Sequence, residues 1–147
     1  MSSVIGAGVS LKGIYIEDFM FPFNLASGIV VGDVGKAVTL DTTAANTVKL
    51  ATDGAAIIGR LESVENRVSE GILVGAVALK GSFKFPVKSG ETVVVGDAIQ
   101  GAGSGEVKAL VVTSDTNTNA GAIKHASHDG RNIVVEVGSG YAVAIIL

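Results

Sequence analysis

Apolar and polar positions alternate through the middle of this chain. Phe83, Phe85 and Val87 alternate with Ser82, Lys84 and Pro86. A period of two puts the apolar set on one face of an extended strand. Just upstream, residues 72–79 (ILVGAVAL) form a short apolar run. It is too short and too glycine-marked for a helix and reads as a second strand. Gly81 separates the two and marks a bulge or a sharp bend. Pro86 has no amide proton to give to a ladder, so the strand lies at an edge or ends there. Residues 88–91 (KSGE) read as a turn, residues 92–95 as the next strand, and Gly96-Asp97 closes it.

The same grammar runs through the rest of the chain. Residues 28–40 read as two short strands around Gly32-Asp33-Val34-Gly35. Residues 41–46 (DTTAAN) predict a turn, 47–51 a strand, 52–54 a turn and 55–64 another strand. Residues 65–70 (ENRVSE) form a polar connection with room for one helical turn, which Gly71 ends. The segment 101–105 (GAGSG) predicts a flexible tight loop, followed by a strand over 106–113. Residues 114–130 are the one long polar segment, with room for a short helix over 120–127. Strands over 131–137 and 141–147 flank a Gly138-Ser139-Gly140 turn. The last strand is apolar on both faces, so it is buried on both, in the core or against a neighbour.

Short strands at regular spacing, joined by glycine turns, predict an all-β fold. The expected architecture is a small barrel or sandwich of short antiparallel strands with an extended N-terminal arm. The arm is residues 1–27 and the β domain residues 28–147.

Composition narrows the function. The 147 residues are 48% apolar with 20 glycines, which suits one domain with a real core and many tight turns. The net charge of −3 leaves no electrostatic footprint for nucleic acid. Without cysteine there is no disulfide and no thiolate, which allows folding in a reducing cytoplasm. Residues 1–10 lack the charged and apolar regions of a secretory signal, and no run is long enough for a spanning helix. No membrane partner is expected.

Candidate chemistry is thin. Asp115, Asn117 and Asn119 are spaced like the start of a calcium loop. Ala120 and Ala126 then stand where a glycine and a bidentate glutamate belong. The histidine pair His125 and His128, followed by Asp129, has no cysteine and no clear third metal ligand beside it and reads as exposed loop residues. Gly6-x-Gly8 and Gly101-x-Gly103-x-Gly105 match no phosphate loop, and there is no nucleophile elbow. Glu62 and Glu65 have no spacing diagnostic of paired acid–base work. The expectation is a protein that is not an enzyme and takes no metal and no cofactor. Val30-Val31-Gly32-Asp33 returns as Val94-Val95-Gly96-Asp97, an echo read as turn chemistry.

Two apolar segments are candidate contact sites. Phe19, Phe21 and Phe23, with Met20 among them, would form an aromatic stripe if extended. The stripe either packs on the chain's own core or docks on a neighbouring subunit or a larger assembly, as arms do by adding a strand to a sheet edge. Tyr141, Val143 and Ile145 on the last strand are candidates for an oligomer interface.

Several segments, taken in order, resemble the small β-rich head decoration or cement proteins of tailed bacteriophages. They are Gly32-Asp33, Gly54-Ala55-Ala56-Ile57-Ile58-Gly59, Gly81-Ser82-Phe83-Lys84-Phe85-Pro86, Gly96-Asp97-Ala98-Ile99 and the apolar closing strand. The resemblance covers residues 28–147 and leaves out the arm; Ser82 stands where a small apolar residue is common. It implies a structural virion protein on the outer surface of the capsid, made in the host bacterial cytoplasm. Such a protein would clamp adjacent major capsid protein subunits as a homo-oligomer, a trimer ahead of a dimer. The competing expectations are a fibre or baseplate module and a small-ligand-binding β-barrel.

Overall fold

Among the described residues, ten glycines and two other residues have a positive φ, and nearly all of them sit where one short strand hands over to the next. The computed structural model describes residues 20–110 and 132–147. The fold is all-β, as expected, and its centre is a closed five-stranded barrel with further sheets packed outside it. The barrel strands are β1 (Met20–Leu25), β2 (Ala37–Leu40), β3 (Thr47–Leu50), β4 (Gly59–Leu61) and β6 (Ile72–Ala78). They follow one another round the barrel as β1, β3, β2, β4 and β6, and β6 pairs back onto β1. The short strand β5 (Glu65–Arg67) continues along β6 beyond β4.

The strands are antiparallel, as expected, with one exception among the barrel pairs. β1 and β3 run parallel, with Asn24 opposite Thr47 and Leu25 opposite Val48. The cause is arithmetic: up-and-down alternation closes on itself only with an even number of strands, so a ring of five needs a parallel neighbour pair. The other four barrel contacts are antiparallel.

The expected boundary between arm and domain is also corrected. Residues 20–25 are a wall of the barrel, with Met20 to Asn24 laddered against Ala78 to Val74. Leu25 is buried inside. The domain therefore begins no later than Met20. Residues 1–19 lie outside the described residues.

Each barrel strand sends one buried residue inward: Leu25, Val38, Val48, Leu61 and Val77 form one cluster, with Phe23 and Leu73 packed against it. The next residue along the strand faces outward. Ala37 and Ala78, beside Val38 and Val77, belong to a second cluster on the outside of the barrel. Adjacent residues thus serve two cores, as the pleat requires.

The second cluster is covered by two smaller sheets. One runs β10 (Asn132–Gly138), β11 (Tyr141–Ile146), β7 (Gly81–Pro86); the other is the hairpin of β8 (Ile99–Gly103) and β9 (Glu106–Ala109). Phe83 and Phe85 face the barrel's small alanines, fully buried and edge-on to each other with centroids 6.3 Å apart. Full burial of each ring stabilises by roughly 1.5–3 kcal/mol. β7 is an edge strand and it ends at Pro86, so both readings of that proline hold.

Local chemistry explains where expected strands are missing. Residues 101–105 are not a loose loop: β8 continues to Gly103, and Ser104-Gly105 makes a two-residue hairpin turn. Both turn residues have positive φ, 53° and 78°, which suits the twist of the flanking strands. Of the two strands expected over 28–40, the one after the 32–35 turn is β2, while the one before it, like the strand expected at 92–95, does not form. Val31–Asp33 is a 3-10 turn, and residues 94–97 form a tight turn. Of residues 55–64, only Gly59–Leu61 joins a ladder as β4. Val68–Glu70 makes the single helical turn, and Gly71 ends it in the left-handed conformation.

Candidate functional site

The Val-Val-Gly-Asp echo is a duplicated pattern of hydrogen bonds. At Val30–Asp33 the Asp33 amide donates to the Val30 carbonyl at 2.9 Å, and the Val30 amide donates back to Asp33 Oδ2 at 3.0 Å. At Val94–Asp97 the Asp97 amide donates to the Val94 carbonyl at 3.1 Å, and the Val94 amide donates to Asp97 Oδ2 at 2.9 Å. Each aspartate captures an amide that a strand would have used in a ladder. The valine pairs are left pointing outward: Val31 is 67% and Val95 63% exposed, and Val30 and Val94 are exposed as well. Val34, after the first turn, is exposed too. The repeated phrase was visible in the sequence, but the exposure of its valines was not, since Val-Val normally signals a strand.

Asp33 also carries charge. Burial works against its carboxylate, yet the bond from Lys36 Nζ at 2.8 Å, the Val30 amide and the Lys36 charge outweigh it. The net effect holds its pKa below the usual carboxylate range. Glu62 shifts the other way. Burial raises its pKa, and the attraction and hydrogen bond of Arg60, 3.2 Å away, offset that only in part.

The expected contact residues fall in different places. Phe19 lies outside the described residues. Met20 is half-buried against the outer core, and Phe23 is half-buried against the barrel core. Phe21 is 50% exposed. The stripe is therefore divided, with Phe21 left at the surface. On β11, Val143 is fully buried, which removes it as a contact for a partner. Tyr141 and Ile145 are half-buried. Ile145 pairs with Ile133 of β10, which is exposed.

Two surface clefts meet at the turn between β10 and β11. One, of about 500 Å³, lies between the 87–93 segment, Glu106 and Tyr141. The other, of about 400 Å³, is lined by Val34, Lys36, Arg60, Lys84, Ser139 and Tyr141 among others. Lys84 Nζ sits 4.5 Å from the centre of the Tyr141 ring. These cations are far apart in sequence, and no local spacing announced them.

Among the described residues no group of three His, Cys, Asp or Glu side chains is placed to hold a metal ion. Glu62 and Glu65 serve separate partners, Arg60 and Arg67. The calcium-loop and histidine candidates, Asp115, Asn117, Asn119, His125, His128 and Asp129, lie outside the described residues. No helix among the described residues is long and apolar enough to cross a membrane. Comparison with protein-family models, with curated proteins and with solved structures returned no match.

Proposed function

We propose that this chain is a structural virion protein that binds the outer surface of a tailed-phage head and clamps neighbouring major capsid protein subunits. The observation that carries the reading is the pair of twin turns, which present Val30, Val31, Val94 and Val95 outward on a braced frame. Exposed apolar residues on rigid supports favour docking, because little side-chain or loop entropy is lost on binding. Phe21 at the surface of β1 adds a larger apolar contact. Leu25, Val38, Val48, Leu61 and Val77 pack on one another inside the barrel, and the exposed apolar residues available to a partner are on its outside. A homo-oligomer, a trimer first, would multiply such contacts, and avidity makes weak single contacts sufficient.

The test is co-sedimentation with empty mature heads of its own phage, preceded by the mass of the protein in solution. A trimer or dimer that sediments at a fixed ratio to shell protein supports the reading. The double variant Val31→Ser, Val95→Ser should weaken shell binding about tenfold or more while the fold persists. A monomer that ignores shells overturns the reading. Binding to tail fibres or baseplates in place of heads would make it the other kind of virion module.

A further inference from the structure

The 400 Å³ cleft beside the first twin turn is a cation-lined site in a protein of net charge −3. Three separate segments bring Lys36, Arg60 and Lys84 to it. The other lining residues are Val34, Gly35, Pro86, Ser139, Gly140 and Tyr141, so no carboxylate among the described residues lines it.

Each cation is held in place. Arg60 donates from Nε to the Gly35 carbonyl at 3.4 Å and from Nη1 to Glu62 at 3.2 Å. Gly35 is left-handed at φ +94°, and a Cβ there would come within 3.2 Å of Arg60 Nη2, so a bare backbone makes room for the guanidinium. Lys36 is tied to Asp33. Lys84 is exposed, sits over the Tyr141 ring, and forms no ion pair among the described residues.

The charges can be counted. Lys36, Arg60 and Lys84 bring three positive charges, and Asp33 and Glu62 bring two negative ones, which leaves one positive charge unanswered among the described residues. One unanswered charge matches one carboxylate better than a dianionic phosphate. The surroundings match a side chain better than a free ion. Val34 lines the cleft, and Val30 and Val31 stand exposed on the adjoining turn. A free carboxylate has no use for that apolar rim, whereas an acidic residue flanked by apolar ones on a protein surface would cover it.

We propose that this cleft receives a single Asp or Glu side chain of a partner protein, flanked by apolar residues that pack on Val30, Val31 and Val34. The proposal rests on the docking reading above and adds the chemistry of the partner. Lys84 supplies the unpaired charge, Arg60 the planar donors suited to a carboxylate, and Tyr141 holds Lys84 over the cleft.

The experiment needs no shells, so its outcome stands apart from the shell assay. The full chain, labelled with nitrogen-15, is titrated with an acetylated peptide carrying one glutamate between valines. The same peptide with glutamine, and sodium acetate, are the controls. The expected result is saturable shifts at Gly35, Ser139, Gly140 and Tyr141, with millimolar affinity that falls as salt rises. The glutamine peptide should bind about tenfold more weakly, and Lys84→Gln should weaken the glutamate peptide by about fivefold or more. Lys84→Arg should restore binding, which separates charge from packing. Equal binding of the two peptides, or no loss in Lys84→Gln, overturns the proposal. Acetate binding as tightly as the peptide would assign the cleft to a free anion and overturn the side-chain occupant.

Discussion

Asn132 holds Ile99 by both edges of its backbone: Oδ1 accepts the Ile99 amide at 2.8 Å, and Nδ2 donates to the Ile99 carbonyl at 3.3 Å. Ile99 opens β8, and Asn132 opens β10, so one side chain joins two sheets that share no ladder. The seam continues through the Gly96 amide to the Val134 carbonyl and the Val134 amide to the Asp97 carbonyl, both at 2.8 Å. Asn132 is buried, so its removal strands a donor and an acceptor away from water.

Asn132→Ala should cost about 2–4 kcal/mol in urea unfolding, with the hairpin of β8 and β9 gaining hydrogen exchange ahead of the barrel. Asn132→Asp keeps one acceptor but sets a carboxylate against the Ile99 carbonyl, and should recover part of its loss at acid pH. A loss under about 0.5 kcal/mol in the alanine variant would mean that the seam is carried by the backbone alone.

The twin turns share their hydrogen bonds but not their backbone. Gly96 has φ +96°, the conformation that the third position of a type II turn requires, while Gly32 is outside the left-handed region. Neither glycine has a neighbour within 4 Å of where a Cβ would sit. The two substitutions therefore isolate conformation from packing. Gly96→Ala should cost about 1 kcal/mol or more, and Gly32→Ala should be neutral or slightly stabilising through the unfolded chain. Equal losses in thermal unfolding would show that the turns are not conformationally distinct.

The sequence made β7 legible because its aromatic face is core, while on the opposite face Lys84 stays exposed even though Ser82 is buried. Phe83 and Phe85 are buried while Lys84 is exposed, so the period of two survives in the residues. The twin turns misled for a local reason: Asp33 and Asp97 divert the amides of two valine pairs that otherwise favour strands. β1 misled for a distant one. Phe21 and Phe23 are chemically alike, but Phe23 packs on the barrel core while Phe21 stays exposed. Only the closure of β6 onto β1 decides that, and closure leaves no mark in the local pattern. The basic cleft was hidden for the same reason, since Lys36, Arg60 and Lys84 meet only when β4 and β7 come together beside the first turn.

Asp33 and Glu62 should answer pH with opposite signs. Asp33 has a lowered folded pKa, so the unfolded chain binds more protons through that window. Its stabilisation is complete above the ordinary value of about 3.9 and is lost as pH falls through the folded value. Asp33→Asn should therefore be less stable than the parent at neutral pH, by about 0.5–1 kcal/mol, with the gap closing below about pH 4. Glu62 has a raised folded pKa, so the folded chain binds more protons and stability falls as pH rises through that window. Glu62→Gln should be the more stable protein at neutral pH, and its advantage should vanish as pH falls below about 4.3. Urea midpoints at a series of pH values give both curves. If Glu62→Gln is the less stable at neutral pH, the Arg60 pairing outweighs the cost of burying the charge.

The barrel is narrow enough that its two failure modes can be told apart. Leu61 is the one fully buried residue that β4 sends into the interior cluster. Truncation to alanine leaves a void between five walls that are hydrogen-bonded to one another and cannot collapse freely. Leu61→Ala should cost about 2–5 kcal/mol and leave the topology intact. Gly59, two residues earlier, fails by the opposite route. A Cβ there would collide with the Ala78 carbonyl and the Val77 side chain, because β4 and β6 approach closely at that point. The carbonyl belongs to the backbone and cannot swing aside as a side chain would, so Gly59→Ala should pry β4 from β6 and open the barrel. Hydrogen exchange separates the cases: the Leu61 variant should exchange faster everywhere in proportion to its lost stability, and the Gly59 variant first at Arg60, Leu61, Val77 and Ala78. Uniform exchange in both would mean that the barrel opens only by global unfolding.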